Sequence, residues 1–168
     1  GETAERAGQH EDAIKWITQA IQFASKLSDE EGKKKTVEHL GRLGRIQFRN
    51  KKWSAALTVF KQQQDVAEQT QQTMEIARAI INQAAVLQQQ GDLPKSVETL
   101  GVGLEISNDI GDMLTEAKAL HNCGRIMLQL NKRDDASKRM QHSLQIATKI
   151  GWKEGVAMNH AILTQLKK

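Results

Sequence analysis

A register of 40 residues runs through most of this chain without a gap, and it limits the fold more than any single residue does. Gly44, Ala84 and Gly124 lie 40 apart, as do Ile46, Val86, Ile126 and Leu166. The same step relates Ala56, Ser96 and Ala136, and then Phe60, Leu100 and Met140. It also relates Val66, Ile106 and Ile146, then Ala67, Ser107 and Ala147, and finally Val37, Ala77, Ala117 and Ala157. Small residues fall with small and large apolar with large. An earlier half-unit is offset by 43, with Ala13 set against Ala56, Ile17 against Phe60, Phe23 against Val66 and Ala24 against Ala67. The three extra residues fall in the polar stretch Ser28 to Lys35, which predicts a loop.

Within each unit the apolar spacing is helical. Leu40, Leu43 and Ile46, and likewise Leu120, Cys123 and Met127, recur at three and four residues and put one apolar face on a helix. Gly91-Asp92 and Asn131-Lys132 break the pattern at mid-unit. Gly111-Asp112 and Gly151-Trp152 break it at the end, where a left-handed helix-ending residue is expected. Pro94 falls in a first helical turn, where its missing N–H leaves nothing unsatisfied. Helices are expected near 10–27, 37–49, 53–70, 75–90, 94–110, 114–130, 134–150 and 154–166. One such pair cannot bury both its faces, so the units stack into an all-α solenoid. The expected organisation is a half-repeat 1–36, repeats 37–76, 77–116 and 117–155, and a terminal helix 156–168.

Composition agrees. The 168 residues contain one proline and no tyrosine, which disfavours a sheet protein. The hydrophobic share of 39% allows a buried core, and no apolar run approaches the roughly 20 residues that cross a bilayer. Cys123, alone, excludes an intrachain disulfide, and no Asn-x-Ser/Thr acceptor occurs, so a reducing, cytoplasmic setting is expected. The polar start lacks a signal-peptide core and an initiator Met, as an excised fragment would.

The columns resemble a named family. Leu43-Gly44 with Trp53 and Ala56, and Gly91-Asp92-Leu93 with Ser96, are similar to the tetratricopeptide repeat, whose usual period is 34 residues. The segment Leu104 to Asp112 resembles the 40-residue subclass in Pins-like polarity adaptors. Gln63 and Gly103 depart from the alanine usual late in the second helix, and Arg133 from the mid-unit aromatic. The resemblance implies a right-handed superhelix of antiparallel helix pairs, with the first helix of each pair on the concave side.

Those first helices, taken as 37–50, 77–90 and 117–130, carry Arg42, Arg45, Arg49, Arg78, Lys118 and Arg125 against one acid, Glu38. Their net charge of +5 exceeds the +4 of the whole chain, so the surplus belongs to the expected groove. A concave wall of one sign concentrates opposite charge, and the arginine fork suits a carboxylate, which points to an acidic peptide partner. By the resemblance, Asn82 and Asn122 would hydrogen-bond an extended peptide, and His121 would face the groove. Lys118 matches a basic position of the carboxylate-clamp subgroup, but Arg45 stands where that subgroup has asparagine, so the full clamp is not implied. The bland alternative is a solvated charged helix face.

Other constellations carry less. Gly101-Val102-Gly103 lies inside a helix without a preceding strand or a third glycine and is no phosphate loop; Gly103 instead allows close helix approach. His121 and Cys123 form one His-x-Cys pair without a second, so no metal is expected, and Cys123 reads as a small buried hydrophobe. No nucleophile, base and orienting acid assemble, so no cofactor and no catalysis are expected. The leading expectation is a protein-interaction scaffold. Its rivals are an RNA-binding repeat using the same basic groove, a docking segment of a larger enzyme, and self-association through helix 156–168, whose Val156, Ile162, Leu163 and Leu166 need a cover.

Overall fold

The computed structural model describes residues 2–26 and 29–166, and within these the side chains of all but residues 2–10 and 25. They form helices α1 (Glu2–Lys26), α2 (Glu30–Arg49), α3 (Trp53–Gln69), α4 (Thr73–Gln89), α5 (Leu93–Asp109), α6 (Met113–Gln129), α7 (Arg133–Lys149) and α8 (Lys153–Leu166). There is no strand among the described residues.

Helices α3 to α7 are each 17 residues long and separated by three-residue links. The middle residue of every link from α2 onward has positive φ: Lys51, Gln71, Gly91, Gly111, Asn131 and Gly151, one every 20 residues. Each link closes the same way. At Gly91 its own N–H donates to the Gln88 carbonyl and the Asp92 N–H to the Leu87 carbonyl, and equivalent pairs occur at the other five links. This double bond satisfies the helix's orphan carbonyls and turns the chain through a left-handed residue. Glycine and asparagine suit that conformation; Lys51 and Gln71, in links already marked by the expected helix ends at 49 and 70, adopt it although neither residue type favours it.

The polar stretch after Ser28 is not the expected loop. Ser28 itself lies outside the described residues, but Asp29 caps α2 by accepting from the Gly32 N–H at 2.8 Å. Glu30 and Glu31 sit in the first turn, where the helix dipole favours acids, and pair one turn on with Lys34 and Lys35, each at 2.7 Å. Helix α2 has 20 residues where α4 and α6 have 17, so the three extra residues lengthen a helix instead of a loop. Charge without apolar periodicity looked like a loop; capping and i,i+4 pairing made it a helical turn. At the other end, α1 begins at Glu2, eight residues before its apolar pattern does.

Consecutive helices pack antiparallel. The even helices also touch one another, α2 with α4, α4 with α6 and α6 with α8, whereas no two odd helices bring backbones within 8 Å among the described residues. The array therefore curves with the even helices on its inner wall. Small residues permit the close pairing: Ala56, Ser96 and Ala136 are each fully buried, and the Ser96 hydroxyl donates to the Ala84 carbonyl at 2.6 Å. Gly44 leaves room for the Phe60 ring, and a Cβ at Gly124 would stand 2.7 Å from Met140 Cγ. Gly103 likewise admits Ile81, as its close-approach reading required. Cys123 is buried with Ile81, Ala84, Leu100, Ala119 and Ile126, and burial pushes its thiol pKa up, so it behaves as a hydrophobe. In α8, Leu163 is buried while Val156, Ile162 and Leu166 are half-buried. The most exposed large apolar side chains lie on α1, Phe23 at 71% and Trp16 at 68%. No described helix is long and apolar enough to cross a membrane.

Candidate functional site

The inner wall repeats four helical positions in register. The first holds Glu38, Arg78 and Lys118; the second Arg42, Asn82 and Asn122; the third Arg45, Ala85 and Arg125; the fourth Arg49, Gln89 and Gln129. On α2 the three arginines follow at three and four residues, so they share one exposed face. A pocket of about 350 Å³ opens on this wall, lined by Arg45 of α2, by Arg78, Ile81 and Asn82 of α4, and by Leu114, Thr115 and Lys118 of α6. Four of the expected residues, Arg45, Arg78, Asn82 and Lys118, thus come together from three helices. Arg42, Arg49, Asn122 and Arg125 are not part of that lining.

His121 is not on the open surface. It is 6% exposed, and its Nδ1 lies 3.0 Å from Asn159 Oδ1. Asn159 Nδ2 donates to Ser143 Oγ and to the Gly155 carbonyl, both at 2.9 Å, and the Ser143 hydroxyl donates to the Ala117 carbonyl at 2.7 Å. With both amide hydrogens spoken for, Asn159 offers His121 only its oxygen, so Nδ1 carries the proton. The imidazole is one end of a satisfied buried network that ties α6, α7 and α8 together.

The basic residues also divide. Arg78 NH1 pairs with Glu75 Oε1 at 2.6 Å, and its NH2 lies 3.9 Å from Asp112 Oδ2. Asp112 caps α6, accepting from the Thr115 N–H at 3.1 Å and from the Thr115 hydroxyl at 2.6 Å. Lys118 Nζ sits 5.6 Å from the centre of the Trp152 ring, a cation–π distance. By contrast, Arg42, Arg45, Arg49 and Arg125 make no ion pair among the described residues. Burial lowers the Arg45 pKa, Glu75 opposes that, and the neighbouring Arg42, Arg49 and Arg78 add to it. A guanidinium remains charged regardless, so Arg45 is a permanent cation crowded by its own kind. Asn82 and Asn122 are half-buried, and neither side chain has a hydrogen-bond partner.

Local acids fall just outside the expected inner-helix bounds. Glu75 and Glu116 lie in first turns, before the bounds 77–90 and 117–130, and Glu30 and Glu31 before 37–50. Over the full helices α2, α4 and α6 there are nine bases and five acids, a surplus of +4 rather than +5. The capping signal at Asp112-Met113 could have found the earlier α6 start. A second depression of about 400 Å³ lies away from this wall, lined by Met127, Asp135, Lys138, Arg139 and His142.

Residues 75–149 match a family model described as tetratricopeptide repeat. No curated protein matches the chain in sequence at a significant level. Among solved structures, BtubC (BKLC) from P. vanneervenii superposes with a TM-score of 0.80 at 18% identity, covering 94% of this chain and 65% of BtubC. The chain therefore spans slightly less than two thirds of that protein's length. The putative kinesin light chain TPR-like repeats of Podosopora anserina give a TM-score of 0.65 at 15% identity, covering 99% of this chain and 93% of theirs. PcrH from Pseudomonas aeruginosa gives 0.64 at 19% identity, covering 79% of this chain and 92% of PcrH. At such identities the likeness concerns the fold. Residues 75–149 are similar to tetratricopeptide repeats, and the described helices together form an all-α solenoid with the fold of tetratricopeptide-like arrays.

Proposed function

We propose that this chain is a non-catalytic scaffold that holds an acidic, extended segment of another protein against its inner wall. The observation that carries the reading is the pocket where Arg45, Arg78, Asn82 and Lys118 converge from three helices beside the apolar Ile81 and Leu114. Guanidinium and ammonium groups on a concave wall attract carboxylates, and an unpartnered amide such as Asn82 offers both a donor and an acceptor to a peptide backbone. Asn122 repeats that amide one unit on, and Arg42, Arg49 and Arg125 extend the positive field beyond the pocket. Such asparagines are similar to those of Pins-like adaptors, whose 40-residue register this chain shares. PcrH has been solved in complex with the chaperone binding region of PopB, which supports a protein segment as the class of ligand for this kind of array.

An RNA ligand would use the same charge but needs faces on which bases stack. Phe48 is the inner-helix candidate, and it packs edge-on against Trp53 with ring centroids 5.1 Å apart. That contact favours the peptide. Self-association through α8 remains a second reading, supported by the half-buried Val156, Ile162 and Leu166, and light scattering on the chain tests it.

The test is the anisotropy of a fluorescein-labelled deca-glutamate peptide in 0.15 M salt. Changing Arg42, Arg45 and Arg125 together to Glu should weaken binding at least about tenfold, since three charges on the wall are reversed. Unchanged affinity in a variant of unchanged helicity removes the acidic-groove reading. Tighter binding of a single-stranded oligouridylate than of the peptide replaces it with the RNA reading.

A further inference from the structure

One lining residue of the pocket, Arg78, already holds a carboxylate, and it belongs to the chain itself. At the register position where α4 carries Ile81 and α6 carries His121, α2 has Gly41. The space is filled from α3 by Gln63, which is 1% exposed, and a Cβ at Gly41 would stand 2.8 Å from its Nε2. That nitrogen reaches α4 and donates to Glu75 Oε2 at 3.2 Å, while Gln63 Oε1 is buried without a partner. The other oxygen of Glu75 receives Arg78 NH1 at 2.6 Å. Burying an amide with one end unsatisfied is costly, so its position needs a compensating partner, and Glu75 is that partner. The Glu75 side chain is 25% exposed and the Arg78 side chain 45%, so the pair borders the pocket and remains open to competition.

We infer that Glu75, held in place by the buried Gln63, is an internal counter-ligand that occupies Arg78 and that an acidic peptide must displace. The inference rests on the acidic-peptide reading above and adds the side chain that sets its affinity. A ligand carboxylate entering between Arg45 and Arg78 meets a like charge and a donor already engaged. It gains only the difference between its own pairing and the one it breaks. Arg45, which has no ion pair, is the first cation such a ligand can reach, and Arg78 follows only as Glu75 swings away. Glu75 is thus a positioning residue that discriminates against weakly charged segments.

The same labelled deca-glutamate in 0.15 M salt tests this. Glu75→Gln should tighten binding about fivefold, the size of one exposed ion pair released. Glu38→Gln, at an inner-wall acid with no pair, should change it less than about twofold, because it releases no cation for the ligand. Adding Arg78→Gln to Glu75→Gln should abolish the gain. A gain from Glu75→Gln no larger than that from Glu38→Gln, or one that survives the loss of Arg78, overturns the internal counter-ligand while leaving the acidic groove standing. Absence of binding by both the wild type and Glu75→Gln overturns the two together.

Discussion

The pair α2–α3 and the pair α4–α5 make the same contact in opposite ways. In the first, Gly41 on the inner helix faces Gln63 on the outer; in the second, Ile81 on the inner helix faces Gly103 on the outer. The third pair takes a middle course, with His121 and Ser143 joined through Asn159. In the first two units one large side chain faces a glycine, and only the side that supplies the bulk changes. The choice of side decides what the inner wall becomes. Where the outer helix supplies the bulk, as Gln63 does, a polar group comes through to Glu75 and the wall there is charged. Where the inner helix supplies it, the contact is an apolar plug. The His121 network is polar, but it is closed on itself and offers little to a ligand.

The largest effect should come from filling one contact from both sides. Gly103→Ile places a branched side chain where its Cβ would stand 2.7 Å from Ile81 Cγ1, and should cost about 3 kcal/mol in urea unfolding. If volume is what the contact keeps, Ile81→Ala should recover at least about 1 kcal/mol of that loss as a coupling energy. Strictly additive losses would break the comparison. Next in size is Asn159→Ala, which strands His121 Nδ1 and takes one donor each from Ser143 Oγ and the Gly155 carbonyl, and should cost about 2 kcal/mol. A loss under half that size would mean water replaces the amide.

The links sharpen the same contrast on a smaller scale. Gly91-Asp92 and Gly111-Asp112 each supply a residue at ease with positive φ and then a capping carboxylate; Gln71-Gln72 supplies neither. Gln71→Gly should therefore stabilise the chain by about 1 kcal/mol, read as a shift of the urea midpoint at constant slope. Gln72→Asp, adding a cap to α4, should stabilise it by about 0.5 kcal/mol. No gain from either would mean that the α3–α4 link is held by interactions other than those of the Gly-Asp links.

These contrasts also mark what the sequence could convey. The columns Gly44, Ala84, Gly124 and Phe60, Leu100, Met140 were legible because each keeps one size class, and they do face one another across the pair. The column Gly41, Ile81, His121 looks random by itself and acquires meaning only beside Gln63, Gly103 and Ser143. Breaks at Gly91, Gly111, Asn131 and Gly151 announced themselves by residue type, whereas Lys51 and Gln71 take the left-handed conformation without a residue that favours it. Of the wall, the basic residues were readable from helical spacing. Their pairing was not, because Glu75 and Asp112 sit in first turns and at a cap, and side-chain reach decides whom they meet. His121 was placed in the groove by register alone, and its partner Asn159 lies 38 residues away on α8.

Heteronuclear spectra of the uniformly ¹⁵N-labelled chain, titrated with unlabelled deca-glutamate, test the central claim most directly. The account predicts that the side-chain amide resonances of Asn82 and Asn122 shift, together with the backbone signals of Arg45, Arg78 and Lys118. Shifts confined to Lys138, Arg139 and His142 on the second depression, with the inner wall unmoved, would contradict it.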